Sequence, residues 1–192
     1  VRRLRHVYPG PQPYHGFSGM KTSKEFLSFL HEWEGTPYAT QMQECGRGVD
    51  CVNFVSAYAD WLTGTLSDVV ALPKLLGYND RKQTLSVIKT LERCWENSLV
   101  DFKGKKLVSV LRPGDAIATR CGSHPVHLVL VGPTRGTIWH ASNERPIPGI
   151  QNNLGVRMTA LNTAIAMGID RVWRFDAARN MDWIGDKSNA CC

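Results

Sequence analysis

The apolar residues change period partway along the chain, and this change limits the fold more than any other feature. Phe26, Phe29, Leu30 and Trp33 recur at the three-and-four spacing of a helix face, and so do Phe54, Val55, Tyr58 and Leu62. Leu85, Ile88, Leu91 and Trp95 predict a third helix over residues 84–96. Beyond it the pattern shortens into β-rich runs at 107–111, 116–119, 126–131, 137–141 and 172–175, separated by Gly and Pro turns. Residues 160–167 read equally as a short helix or a loop. Helices first and strands second predict an α+β domain, with N-terminal helices packed on a central antiparallel β-sheet.

Local signals place the boundaries. Thr22-Ser23-Lys24-Glu25 fits a capping box ahead of the first helix, and Gly35 with Pro37 stops it. The second helix starts at Asp50 or Cys51, after a loop ending Gly46-Arg47-Gly48-Val49, and Gly64 is placed to terminate it. Arg112-Pro113-Gly114-Asp115 is a turn between two strands, so Asp115 belongs to structure rather than to chemistry. Residues 1–21 are rich in Pro, Gly and charge and read as a basic extended arm, leaving 22–192 as one domain.

Charge and cysteine usage bound the function. The net charge of +6, with Arg2, Arg3, Arg5 and His6 together at the front, favours an anionic partner such as a wall polymer or a membrane surface. Nucleic acid is not expected, because no ladder of aromatic and basic residues and no Gly-rich phosphate loop is present. No apolar run reaches the ~20 residues that span a bilayer, and the opening lacks the apolar core of an intact secretory signal. The six cysteines, Cys45, Cys51, Cys94, Cys121, Cys191 and Cys192, are too sparse for a disulfide scaffold.

Cys51 stands where a glycine-containing loop turns into an amphipathic helix. Helix N-termini carry positive partial charge and unbonded N–H groups. Both favour a thiolate, the nucleophilic form of cysteine, and the same N–H groups can donate to an oxyanion. A nucleophile of this kind needs a base, which can lie far away in sequence. His127 opens the apolar run His127-Leu128-Val129-Leu130-Val131, and His140 lies in the next run, Thr137-Ile138-Trp139-His140-Ala141-Ser142. A hairpin turn at 132–136 would bring the two imidazoles onto neighbouring strands, where His140 can hold the tautomer of His127.

These segments together resemble the NlpC/P60 family of cysteine peptidases, and the phage-associated cell-wall peptidases in particular. The resemblance is carried by Gly35-Thr36-Pro37-Tyr38, by Gly48-Val49-Asp50-Cys51-Val52-Asn53-Phe54-Val55 and by Leu111-Arg112-Pro113-Gly114-Asp115. The runs that begin at His127 and at Trp139 complete it. It implies a papain-like fold and cleavage of peptide or amide bonds in peptidoglycan stem peptides through a thioacyl intermediate. It further implies Cys51 as nucleophile, His127 as base and His140 as orienting residue. Tyr38 would line the site and bind substrate or oxyanion, and Asp50 would hold the free amine of a stem peptide. An Asp at that position would also cap the helix well. No cofactor or metal is implied, and a wall hydrolase would act outside the cytoplasm, whether secreted, periplasmic or injected. The chain departs from the family where Ser and Gly usually follow the nucleophile, since Val52 and Asn53 stand there.

Three other readings compete. An acyltransferase or transglutaminase-like enzyme shares the chemistry up to the thioester. Cys121, His124 and His127 read as C-x-x-H-x-x-H and with His140 would supply four zinc ligands, although strand alternation tends to part His124 from His127. A papain-like shell with a dead site would bind wall fragments or a partner without catalysis.

Overall fold

A computed structural model describes residues 21–63, 100–101, 106–121, 124–143 and 155–185 of the chain. The arm expected over 1–21, apart from Lys21, and the helix expected over 84–96 lie outside them. Helix α1 runs from Ser23–Trp33. Its capping box forms as the sequence reads: Glu25 N–H donates to Thr22 Oγ1, and Glu25 Oε2 accepts from Thr22 N–H at 2.8 Å. A two-residue ladder, β1 (Gln43–Glu44) and β2 (Gly48–Val49), leads into α2 (Cys51–Thr63). A short helix α3 (Leu107–Val110) follows, then β3 (Ala116–Cys121), β4 (His124–Val131) and β5 (Thr137–Ser142). The described chain closes with β6 (Gly155–Ala160), α4 (Leu161–Met167), β7 (Ile169–Trp173) and a 3-10 turn, Asp176–Ala178.

Strands β3 to β7 form one antiparallel sheet in the order β6-β5-β4-β3-β7. Alternation along the strands divides the core in two. Ala116, Ala118, Leu128, Leu130, Trp139, Ala141, Val156 and Trp173 face α1 and α2. There Phe26, Phe29, Phe54 and Tyr58 pack ring against ring, with centroids 5.0 Å apart for Phe26–Tyr58 and 6.2 Å for Phe29–Phe54. Ile117, Val129, Val131, Ile138 and Val172 face the other way, against Leu161 and Ala164 of α4. The fold is α+β, with the N-terminal helices laid on the antiparallel sheet.

The 107–111 run, expected as a strand, is helical. Strand β3 is paired on both sides, by β4 and β7, so the segment just before it cannot form a hairpin with it. The segment satisfies its backbone locally instead, with Ser109 N–H and Oγ both donating to Lys106 O. The ambiguous 160–167 stretch resolves as β6 running into α4.

Candidate active site

The approach to Cys51 is built by backbone contacts from two directions. Gly35 N–H donates to Val156 O and Val156 N–H to Thr36 O, both at 2.9 Å, which ties the Gly-Thr-Pro-Tyr segment to the start of β6. Only glycine fits at 155 in β6, because a Cβ there would sit 2.2 Å from Thr36 O. Tyr38 then runs parallel to Val49, held by Val49 N–H to Pro37 O at 2.9 Å and Ala39 N–H to Val49 O at 3.1 Å. This delivers Asp50 and Cys51 to the first turn of α2 with Tyr38 beside them.

Asp50 caps that turn. Its Oδ1 accepts from Asn53 N–H at 2.8 Å, and its Oδ2 accepts from Gln41 N–H at 2.7 Å and from Asn53 Nδ2 at 3.0 Å. The carboxylate is 1% exposed. Burial pushes its pKa up, and the bonds from Asn53, Gln41 and Val52 pull against that rise. Of the two roles the sequence offers Asp50, the geometry displays the cap. Asn53, a departure from the family pattern, spends its side chain on the same carboxylate.

Cys51 is half-buried at the first position of α2. Burial pushes its thiol up to about 12, outweighing the N–H groups of Leu128, Cys51 and Val52 that favour the thiolate; the Asp50 charge adds to the rise. The expected lowering at a helix N-terminus is therefore present but overridden by desolvation. Tyr38 is raised to about 12 by burial and by the nearby Cys51 and Asp50, so its hydroxyl keeps its proton at neutral pH.

His127 and His140 come together. His127 Nε2 and His140 Nδ1 are 2.6 Å apart, and the ring planes stand at 75°. The backbone ladder between β4 and β5 pairs Leu130 with Trp139 and Val131 with Ile138 and goes no further. The two imidazoles occupy the opened end beyond it. Alternation puts them on the sheet side of Val129 and Ile138, whereas Leu128 and Trp139 face α2. Cys51 therefore meets β4 at the backbone of Leu128, one residue from His127, and no hydrogen bond joins the thiol to the imidazole. Burial holds His127 down at about 4 and His140 at about 3, with Arg157 lowering both and His127 lowering His140 further. Both rings are neutral at pH 7.

Two neighbours of this pair lie on β6, a strand absent from the sequence reading. Arg157 is paired across the ladder with His140, and Thr159 Oγ1 lies 3.3 Å from His140 Nε2. The alternation of apolar and polar residues along Val156-Arg157-Met158-Thr159-Ala160 was the available signal. Asp115 is a structural residue as expected: it is 0% exposed and clamped by Arg174 through bonds of 2.8 and 2.7 Å. Among the described residues no group of three His, Cys, Asp or Glu side chains is arranged to hold a metal ion. The side chains of Cys121 and His124, needed for the zinc alternative, lie outside the description.

No family model and no curated protein matches the chain. Among solved structures it is similar to the crystal structure of the NlpC/p60 domain of the peptidoglycan hydrolase SagA. That match has 15% identity and a TM-score of 0.40, over 80% of this chain and 98% of that one.

Proposed function

We propose that this protein is a cysteine hydrolase in which Cys51 is the nucleophile, His127 its base and His140 the residue that orients the base. The observation that carries the proposal is the neutral 2.6 Å pair of His127 and His140, set one residue from the strand position that Cys51 touches. With Nε2 engaged by His140, Nδ1 is the His127 nitrogen left to accept a proton. The β4–β5 ladder ends at Leu130 while β3 still pairs with His127 through Thr119, so the imidazole must swing round the open β5 edge of β4 to bring Nδ1 to the sulfur when substrate binds. Catalytic hydrogen bonds that are open in a free enzyme often tighten when substrate binds.

The resting pair is a neutral thiol and a neutral imidazole. Substrate binding brings an amide carbonyl to Cys51, and proton transfer to His127 accompanies attack of sulfur on that carbon. The oxyanion is held by the Cys51 N–H at the helix terminus and by the protonated Tyr38 hydroxyl. The imidazolium of His127 protonates the leaving amine as the C–N bond breaks. Water, deprotonated by the same imidazole, then cleaves the thioester and releases the acid. Asp50 supports this arrangement by capping α2. Its role as an anchor for a substrate amine is part of the same family-derived proposal, and it requires the cap to open.

The motif resemblance supports peptidoglycan stem peptides as the substrate class and, with it, a site of action outside the cytoplasm. The basic residues near the front of the chain suit an anionic wall or membrane surface. Acyl transfer is the second reading, left open by Val52 in place of the serine that usually follows the nucleophile. Purified peptidoglycan digested with wild type and with Cys51→Ala, in the presence and absence of an added amine, separates the two by product mass. New muropeptides made only by wild type support the hydrolase, and incorporated amine supports the transferase. Equal products from both proteins would end the proposal.

A further inference from the structure

We propose that Thr159 is a positioning residue that sets the tautomer of His140, and through it that of His127, by accepting a hydrogen bond from His140 Nε2. The proposal rests on reading His127 as the base and extends it to a third strand of the sheet. The chain of contacts is short: His127 Nε2 to His140 Nδ1 at 2.6 Å, then His140 Nε2 to Thr159 Oγ1 at 3.3 Å.

Two neutral imidazoles in contact share a single proton between their facing nitrogens, and only two arrangements satisfy this. In the first, His127 Nε2–H donates to a bare His140 Nδ1. His140 must then carry its proton on Nε2, where Thr159 Oγ1 accepts it, and His127 Nδ1 is bare and able to take a proton. In the second, His140 Nδ1–H donates to His127 Nε2, His140 Nε2 is bare, and the Thr159 hydroxyl must donate to it. His127 then carries its proton on Nδ1 and cannot act as a base. The Thr159 hydroxyl can serve either arrangement, but without it the first leaves a buried N–H with no acceptor, a greater cost than the bare nitrogen of the second, so Thr159 is what keeps the competent arrangement open.

Thr159 pairs with Ile138 across the β5–β6 ladder and so shares a side of the sheet with His140. Strand β6 is an edge of the sheet, and Thr159 is half-buried there, so the hydroxyl can be removed with little cost to the fold. Arg157, on the same strand, also faces the pair but as a cation. It opposes protonation of both rings.

Nitrogen-15 spectra of the histidine rings near pH 7 read the tautomers directly and need no substrate. Wild type is expected to show His127 and His140 both protonated on Nε2. Thr159→Val, which keeps the shape and removes the hydroxyl, is expected to move His140 and His127 toward the Nδ1–H forms, and Thr159→Ser to restore the wild-type pattern. Turnover of a wall peptide should follow, with kcat falling at least tenfold in Thr159→Val at little-changed KM and recovering in Thr159→Ser. Wild-type tautomers in a folded Thr159→Val protein would overturn the proposal, as would an Nδ1-protonated His140 in wild type. If Thr159→Val does not fold, Thr159→Ala gives the same readout. If no wall substrate is turned over, the hydrolase reading fails while the spectra still decide the role of Thr159.

Discussion

At Cys51 two effects of comparable kind oppose each other, and their balance sets how the residue reacts. Three N–H groups near the sulfur favour the thiolate, and removal from water favours the thiol; the second wins and carries the pKa up to about 12. Iodoacetamide labelling of the Cys51 peptide should therefore be slow at pH 7 and keep rising through pH 9, with no plateau between pH 5 and 8. A plateau in that interval would instead indicate a resting thiolate–imidazolium pair. Arg157 gives a second residue-scale test. Its charge lowers the pKa of His127, so Arg157→Met should raise it, and the acid limb of the kcat/KM profile should move to higher pH with it. Cys51 stood out at a loop-to-helix boundary, and His127 and His140 in successive apolar runs joined by a short turn, although β4 begins at His124 and not at His127. Arg157 and Thr159 did not stand out, since their meaning depends on which strand lies beside His140, a long-range pairing that composition does not carry.

Elements hold these residues in place through buried polar contacts. Asp50→Ala removes the cap of α2 and should cost about 1–2 kcal/mol in urea unfolding, while Asp50→Asn keeps most of it. The Asp115–Arg174 clamp joins the turn before β3 to the residue after β7 and also binds Val110 O at 2.7 Å. Burial pushes Asp115 up while Arg174 holds it down, so the carboxylate depends on that partner. Arg174→Met leaves it buried and uncompensated and should destabilise the fold by about 3–5 kcal/mol. Helices α1 and α2 were readable because a capping signal and a period of 3.6 agree with how each one packs. Strand β6 was not, since an edge strand with half-exposed Arg157 and Thr159 and exposed Met158 lacks the apolar run that marks a buried strand. The 107–111 run misled for the opposite reason: it is apolar and β-rich, yet it folds as a short helix leading to Leu111, which is buried in the second core cluster.

For the whole molecule, the buried neutral histidines set the response to acid. His127 and His140 stand at about 4 and about 3 in the folded protein, below the 6.5 of an unperturbed imidazole. Between those values and 6.5 the unfolded chain binds protons that the folded protein refuses, so stability is lost as pH falls through that window. Asp50 and Asp115, raised by burial above the 3.8 of a free carboxyl, act with the opposite sign from that pH upward. The urea midpoint of wild type should therefore drop from pH 7.5 to pH 5 by more than that of His140→Gln, which lacks one of the two groups. Covalent catalysis by Cys51 is tested by quenching the protein in acid during turnover of a stem peptide and mapping it by mass spectrometry. An acyl mass is expected on the peptide containing Cys51, released by hydroxylamine and absent in Cys51→Ala. Turnover that proceeds with Cys51 unmodified, and equally in Cys51→Ala, would contradict it.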